Sequence, residues 1–266
     1  MIRLLINNKR IMPWNPEVYN KFKQERFAPF YDLLALIKVK PNLTAIDLGC
    51  GTGELSRNLA DHLPGGQVLG IDASAEMLKE AKAFKNEQLR FEHRTIEQVV
   101  KQGLKYDLIF SNAALQWLDH HEVLLPAIIS MINPGGQLVV QVPSNHHHFT
   151  HESLQLLATK EPYFTALKGW VRTSPVLGIE AYAKLLFDQG GSEVTVFEKV
   201  YPHVLKDAEA LFDWVSGTAL IPYLEKLPEG LKADFTTVYK AQLATRFQES
   251  PVFYPFKRTL MVATFG

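Results

Sequence analysis

The sequence predicts a doubly wound α/β fold, a mostly parallel sheet covered by helices on both faces. Two observations carry that prediction. Short apolar runs alternate with amphipathic helical stretches between residues 44 and 143, the rhythm of consecutive βαβ units. In the first unit, Thr44-Ala45-Ile46-Asp47-Leu48 leads into Gly49-Cys50-Gly51-Thr52-Gly53 and then a helical stretch with Leu55 and Leu59 on one face. A strand, a turn of alternating glycines and a helix make half a nucleotide-binding unit. Glycine reaches positive φ and lets such a turn lie flat against a ligand, and the helix beyond it offers unpaired N–H groups.

The elements follow in order. Residues 1–11 show no clear period, and Met12-Pro13-Trp14 reads as a second start that leaves them as an extension. Asn15 is a fair N-cap and Pro16 suits a first turn, so a helix is predicted through Tyr19, Phe22, Arg26 and Phe30. A second helical stretch, Phe30 to Ile37, turns an apolar face to the sheet, and Pro41-Asn42 ends it. Strand two, Val68 to Ile71, ends at Asp72; Ser74 then caps a helix to Ala81 with Met77 inward. Leu89 to Glu92 alternates as strand three and Tyr106 to Phe110 as strand four. A helix is predicted from Leu115 to Met131, a tight turn at Asn133-Pro134-Gly135-Gly136, and strand five from Gln137 to Val142, stopped by Pro143. Beyond Pro143 the rhythm changes. His146-His147-His148 and His151 lead into a helix; Ile179 to Gln189 is helical with Gly190-Gly191 as its stop. Glu193 to Phe197 is strand six, Ala208 to Leu220 and Leu231 to Gln248 are helices, and Phe256 to Thr264 closes the chain as a strand.

Composition narrows the function classes. A chain of 266 residues is long enough for one large α/β domain with additions and short for two independent cores. Lys plus Arg equals Asp plus Glu at 28 each, and the lack of a polybasic run disfavours a protein that grips long nucleic acid through phosphates, so no nucleic-acid partner is expected. The single cysteine, Cys50, forbids an internal disulfide and suits a reducing compartment. No run approaches the ~18 apolar residues of a membrane span, and Met1 to Ile6 is too short an apolar core for a signal peptide. The expectation is a cytoplasmic protein with no membrane association; its oligomeric state is not legible.

Asp72 stands at the tip of strand two, about 20 residues past the glycines, where an acid suits the hydroxyls of an adenosine ribose. Dinucleotide dehydrogenases share that arrangement, and an α/β domain with no ligand is a third reading. Two details favour S-adenosylmethionine. The glycines are spaced G-x-G-x-G instead of G-x-G-x-x-G, and Asp47 precedes the first by two residues. A carboxylate there opposes a pyrophosphate and suits the ammonium of a methionine moiety.

The string Asp47-Leu48-Gly49-Cys50-Gly51-Thr52-Gly53 with Asp72 resembles class I S-adenosylmethionine-dependent methyltransferases. That implies a Rossmann-like sheet of seven strands, the last antiparallel, with helical additions forming a cap. Asn112-Ala113-Ala114-Leu115-Gln116-Trp117 is similar to a string of trans-aconitate methyltransferases and of malonyl carrier-protein O-methyltransferases. Trp14-Asn15-Pro16, Tyr19, Glu25-Arg26, Asp213-Trp214-Val215 and Leu220-Ile221-Pro222 resemble the trans-aconitate group, so the resemblance runs over residues 12–266. It implies one methyltransferase domain over residues 1–266: N-terminal helices over the site at 12–40, a cofactor core at 41–143, and substrate-side helices and closing strands at 144–266. The activity implied is O-methylation of a carboxylate on a small organic acid such as trans-aconitate. Methylation of malonyl carrier protein is the alternative. The family's acid after strand three is Thr95 here, and a basic residue of the trans-aconitate group is Ile221. Those departures leave room for a third reading, a non-catalytic S-adenosylmethionine-binding module.

The candidate cofactor residues are Trp14, Tyr19, Arg26, Asp47, Gly49, Cys50, Gly51, Asp72, Ala73, Met77, Thr95, Ile96 and Asn112. The resemblance puts Arg26 on the methionine carboxylate and Thr95 on the adenine amino group. Trp14 and Tyr19 suit a lid over a sulfonium through cation–π attraction. Asn112, Gln116 and Trp117 lie at the carboxyl end of strand four, beside the expected crevice, and suit substrate positioning. A carboxylate nucleophile with a pKa of about 4 is already ionised at neutral pH, so no general base is expected. The need shifts to groups that hold the acid: His146, His147, His148, Arg172, Lys257 and Arg258. Consecutive histidines on an extended segment point to opposite sides and no cysteine or acidic cluster joins them, so no metal site is expected.

Overall fold

The computed structural model describes residues 23–266, with side chains from Phe27 onward. It separates into two compact units, one comprising Lys23–His148, Thr173–Val204 and Phe253–Gly266, the other Phe149–Arg172 and Leu205–Val252.

Among the described residues, seven strands form one sheet in the order β3-β2-β1-β4-β5-β7-β6. They are β1 Thr44–Leu48, β2 Gln67–Asp72, β3 Leu89–His93, β4 Tyr106–Asn112, β5 Ile132–Pro143, β6 Gly191–Leu205 and β7 Val252–Phe265. The ladders from β3 across to β5 are parallel, and β7 is antiparallel to β5. The strands of the parallel part read as apolar runs because both of their faces are covered. Ala45, Val68, Leu108, Phe110, Val139 and Leu260 pack on one side against helices α1 Lys23–Leu34 and α2 Glu54–His62, with Phe30 edge-on to Phe110 at 5.7 Å. Ile46, Leu48, Ile109, Leu138, Val140, Val142 and Met261 pack on the other side against α4 Ile96–Gln102, α5 His121–Ile129 and α8 Ile179–Asp188. Helix α3 Ala75–Ala81 packs Leu78 and Ala81 against Cys50 and Phe91. The predicted doubly wound, mostly parallel sheet is the fold.

The second unit is helical. It contains α6 Phe149–Ala158, the single turn α7 Tyr163–Ala166, α9 Ala208–Val215, α10 Ile221–Lys226 and α11 Glu229–Arg246. Its centre is aromatic: Phe235 meets Tyr163 edge-on at 4.9 Å and stacks on Tyr223 at 5.6 Å, and Tyr239 donates to the Thr150 carbonyl at 2.8 Å.

Several local expectations change. The helix predicted from Leu115 to Met131 is two pieces, a 3₁₀ turn at Leu115–Trp117 and α5, because His120 takes a left-handed conformation with φ 62°. The two predicted N-terminal helices meet in one described helix, α1, which carries Pro29 within it. The turn at Asn133 to Gly136 is absorbed into β5, where the register against β4 shifts between Tyr106 and Leu108. The helix predicted from Ala208 to Leu220 changes to a π-turn over Ser216–Leu220. Strands β6 and β7 extend well past their predicted cores. Ser74 does cap α3, accepting from the Met77 N–H, and Gly190 ends α8 with φ 82°.

Candidate active site

The glycine turn after β1 is held from three sides. Gly49 and Cys50 both donate their N–H groups to the Ile71 carbonyl at 2.9 Å, and Gly51 donates to an Asp72 oxygen at 2.9 Å. The other Asp72 oxygen accepts from the Ser74 N–H at 2.7 Å, so this carboxylate ties the turn to the start of α3. Gly49, Gly51 and Gly53 have φ of 83°, 55° and 80°, which side chains tolerate poorly. Their surroundings differ. A Cβ on Gly49 would lie 2.2 Å from the Ala114 Cβ, and one on Gly53 2.7 Å from Phe91. A Cβ on Gly51 would meet nothing within 4 Å. The outer glycines serve close packing; Gly51 presents bare backbone to open space.

Asp47 is buried beneath this turn. Its carboxylate accepts from the Ser56 hydroxyl at 2.5 Å, and its pKa is pushed up to about 7 by burial, an effect the Ser56 bond opposes and the Asp72 charge reinforces. A buried anion with a neutral partner and another anion nearby is electrostatically suited to a cation. Cys50 is a buried packing residue whose thiol is held far above its ordinary range by burial and then by the charges of Asp47 and Asp72. These surroundings oppose a thiolate.

At the end of β4, Ala113 is forced into positive φ (55°) and donates its N–H to the Gln141 carbonyl at 2.9 Å. Backbone in that region is costly for a residue with a Cβ and is found at functional sites. The 3₁₀ turn that follows presents Gln116 and the half-exposed Trp117. Gln116 Nε2 donates to the Ala113 carbonyl at 2.7 Å, leaving its Oε1 buried without a partner, as is Asn112 Oδ1. His121 anchors this turn from below. Its Nε2 lies 3.0 Å from the Leu115 carbonyl, which can only accept, so that nitrogen carries the proton. Nδ1 then accepts from the Tyr182 hydroxyl at 2.5 Å, whose oxygen takes the Leu177 N–H at 3.1 Å. Burial lowers the His121 pKa, keeping the imidazole neutral.

Strand alternation gives the remaining geometry. Residues two apart share a face, so Asp47 on β1 joins Ala45, Asn112 on β4 joins Phe110, Gln141 on β5 joins Val139, and Arg258 on β7 joins Leu260, all on the side covered by α1 and α2. Asn112 and Gln141 are register partners, and Arg258 stands opposite Pro143. Arg258 is buried, lies 4.6 Å over the Phe256 ring and donates from Nη1 to Gln141 Oε1 at 3.2 Å. Asn145 is likewise buried, with its Oδ1 accepting the Lys257 N–H at 2.7 Å.

The remaining sequence candidates scatter more widely. Ala73 is exposed, its carbonyl 2.9 Å from His93 Nε2. Met77 is half-buried, Ile96 is in the core, and Thr95 caps α4 in a reciprocal pair with Gln98. Lys257 is ion-paired to Glu198 at 2.9 Å. His146 and His147 face each other with rings 4.3 Å apart, and His148 packs edge-on to Tyr254 at 4.8 Å. Among the described residues no group of three or more His, Cys, Asp or Glu side chains is arranged to hold a metal ion. Arg172 belongs to the helical unit, where its carbonyl accepts from Gln155 Nε2 at 3.1 Å. Trp14 and Tyr19 lie outside the described residues, as does the side chain of Arg26. The sequence reading passes over Gln141 and Asn145. The available signal is a glutamine inside the apolar run Leu138 to Val142, where a buried amide needs a reason.

Comparison with known proteins agrees with this geometry. A methyltransferase domain matches residues 39–185. A trans-aconitate 2-methyltransferase of Deinococcus radiodurans is 45% identical over 259 residues, spanning 95% of this chain and 98% of that protein. Another, from Paracidovorax citrulli, is 37% identical and spans 85% of this chain and 87% of its own. The crystal structure of the YcgJ protein from Bacillus subtilis shares the fold at a TM-score of 0.59 and 12% identity, over 90% of this chain and 98% of that one. The glycine turn, the acids beside it and the strained end of β4 thus sit within a similarity that runs almost end to end, and the chain belongs to the trans-aconitate 2-methyltransferase family of methyltransferases.

Proposed function

We propose that the crevice at the carboxyl ends of β1, β4 and β5 binds S-adenosylmethionine and directs its methyl group to a carboxylate of a small organic acid, with trans-aconitate the first candidate. The observation that carries the cofactor is the combination of a buried, cation-seeking Asp47 near the end of β1 with the bare backbone of Gly51 in the turn that follows. The substrate class rests on the full-length similarity to trans-aconitate 2-methyltransferases.

S-adenosylmethionine, when bound, supplies a methyl group on a positively charged sulfur, open to in-line displacement. The residues here serve to bind and align. Asp47 would hold the amino group of the methionine part and Asp72 the ribose hydroxyls. Gly49, Cys50 and Gly51 would lie along the ligand, and Ala73, Met77, Thr95 and Ile96 are the candidate adenine contacts. Asn112, Gln116 and Trp117 position the acid, with Trp117 an apolar wall that excludes water. His146, His147, His148, Lys257 and Arg258 are the candidate groups for holding it. A carboxylate with an ordinary pKa of about 4 needs no proton removed, so alignment and desolvation supply the catalysis.

A panel of small acids including trans-aconitate, incubated with methyl-labelled cofactor, tests this. Methyl ester formation is expected. Transfer confined to amines, phenols or nucleic-acid bases would overturn the substrate class, and no binding of S-adenosylhomocysteine in calorimetry would overturn the cofactor.

A further inference from the structure

The buried amides at the carboxyl ends of β4 and β5 are sorted by polarity. For Gln141, Asn145 and Gln116 the orientation is fixed by a partner able to play only one part. A guanidinium only donates, so the end of Gln141 that meets Arg258 is its oxygen, and Nε2 is the end left over. A backbone N–H only donates, so the end of Asn145 that meets Lys257 is Oδ1, leaving Nδ2. A carbonyl only accepts, so Gln116 spends its nitrogen on Ala113 and keeps Oε1. Of these amides, the buried atoms with no hydrogen-bond partner are Asn112 Oδ1 at the end of β4, the acceptor Gln116 Oε1 just after it, and the donors in and just after β5, Gln141 Nε2 and Asn145 Nδ2. Asp47, the anion, lies on the acceptor side; Arg258, the cation, lies on the donor side. Asn112 and Gln141 face one another in register on one side of the sheet, yet donor and acceptor do not pair.

Buried polar atoms are satisfied in stable proteins, so these four point to a ligand that satisfies them. Resting on the carboxylate reading above, we propose that Gln141 and Asn145 are substrate-binding residues whose amide N–H groups hold a carboxylate of the acid, with Arg258 as the positioning residue that fixes which end of Gln141 faces it. Gln141 is fully buried between Val140 and Val142, so its carboxamide reaches the ligand from a rigid strand. Neutral donors suit this place. They hold an anion beside Arg258 without adding a second buried cation, and they reject an uncharged analogue by leaving their own hydrogens unpaired.

Two variants test it. Gln141→Glu keeps an oxygen for Arg258 and removes the donor; Gln141→Met is neutral and removes both. In each, the KM for the acid, the Kd for S-adenosylhomocysteine and the urea midpoint are measured. Both variants are expected to raise the KM on the order of tenfold or more, with cofactor affinity within about twofold of wild type. Asn145→Asp, which retains the oxygen for Lys257, should raise the KM likewise. A folded Gln141→Met protein with unchanged KM overturns the assignment, even where Gln141→Glu shows a loss from its charge. A parallel fall in cofactor affinity overturns it too, because the donors would then serve the methionine carboxylate. If wild type methylates no acid in the panel, the broader carboxylate reading has failed instead.

Discussion

Asp47 should cost the unliganded protein stability, and replacing it should reveal how much. In the unfolded chain an aspartate ionises near 3.8; in the fold Asp47 is pushed up to about 7. At ~1.4 kcal/mol for each tenfold change, ionising it in place costs about 4 kcal/mol more than in water, an order-of-magnitude figure. The sign follows from proton linkage. Because the folded-state value is the higher one, this group's contribution is fully present below pH 3.8 and drains away as pH rises to about 7. Asp47→Asn removes the charge, preserves the shape and still accepts from Ser56. Near pH 4 the variant and wild type should therefore unfold at similar urea concentrations. At pH 8 the variant should be more stable by up to about 4 kcal/mol. The same change should weaken S-adenosylmethionine binding by about 2–5 kcal/mol if the carboxylate pairs a buried ammonium. Wild-type affinity should also rise with pH as Asp47 gives up its proton near 7. Urea titrations at the two pH values and calorimetry at pH 8 read both effects. A variant less stable than wild type at pH 8, or one that binds the cofactor equally well, refutes the reasoning.

Gly49 and Gly51 should part company. Gly49→Ala places a Cβ 2.2 Å from Ala114, so its soluble yield and urea midpoint should fall sharply. Gly51→Ala meets open space, so it should fold with a loss of about 1–2 kcal/mol from its positive φ while losing cofactor affinity in calorimetry. Tyr182→Phe strips the donor from His121 and the acceptor from Leu177, at a cost of about 1–3 kcal/mol for each group left unmet, measured by urea unfolding. His121 is neutral in the fold with a pKa lowered from 6.5, so its contribution holds above that pH and is lost as pH falls below it. His121→Asn should flatten the corresponding part of the stability profile, read as the wild-type-minus-variant difference across pH.

The parts of this fold that could be read from sequence are those where local chemistry and tertiary packing agree. The β1–glycine–α2 unit is one, because the apolar run, the φ demand of the glycines and the helix face give the same answer. The Ser74 cap and the Gly190 stop are others. The continuous helix predicted from Leu115 misled because its apolar spacing is real. What breaks it is tertiary: His121 reaches back to the Leu115 carbonyl and out to Tyr182 on α8, 61 positions along the chain, and His120 takes the left-handed turn between. Asn133 to Gly136 carries strong turn residues, yet Asp107 accepts from Asn133 Nδ2 at 2.8 Å and draws the segment into β5.

The site itself was half legible for the same reason. Backbone features announce themselves in sequence, because only glycine fills certain positions and acids at strand ends are conspicuous. Side-chain complementarity does not. Gln141 lies in a run of valines that any periodicity measure reads as a buried strand, and Arg258 looks like one of several cations near the end of the chain. Their relation appears only when β7 inserts antiparallel beside β5 and brings the guanidinium across 117 positions to the carboxamide. That insertion explains why a cation stands inside the sheet, on the strand that runs against β5. Asp47 and Asn112 stand near the carboxyl ends of the parallel strands β1 and β4, and a chain entering from the opposite direction is what places an arginine on the same face beyond them, beside Gln141 of β5. The polarity boundary between β4 and β5 is therefore a product of topology as much as of composition, and on the function proposed above it would offer an ammonium one side and a carboxylate the other.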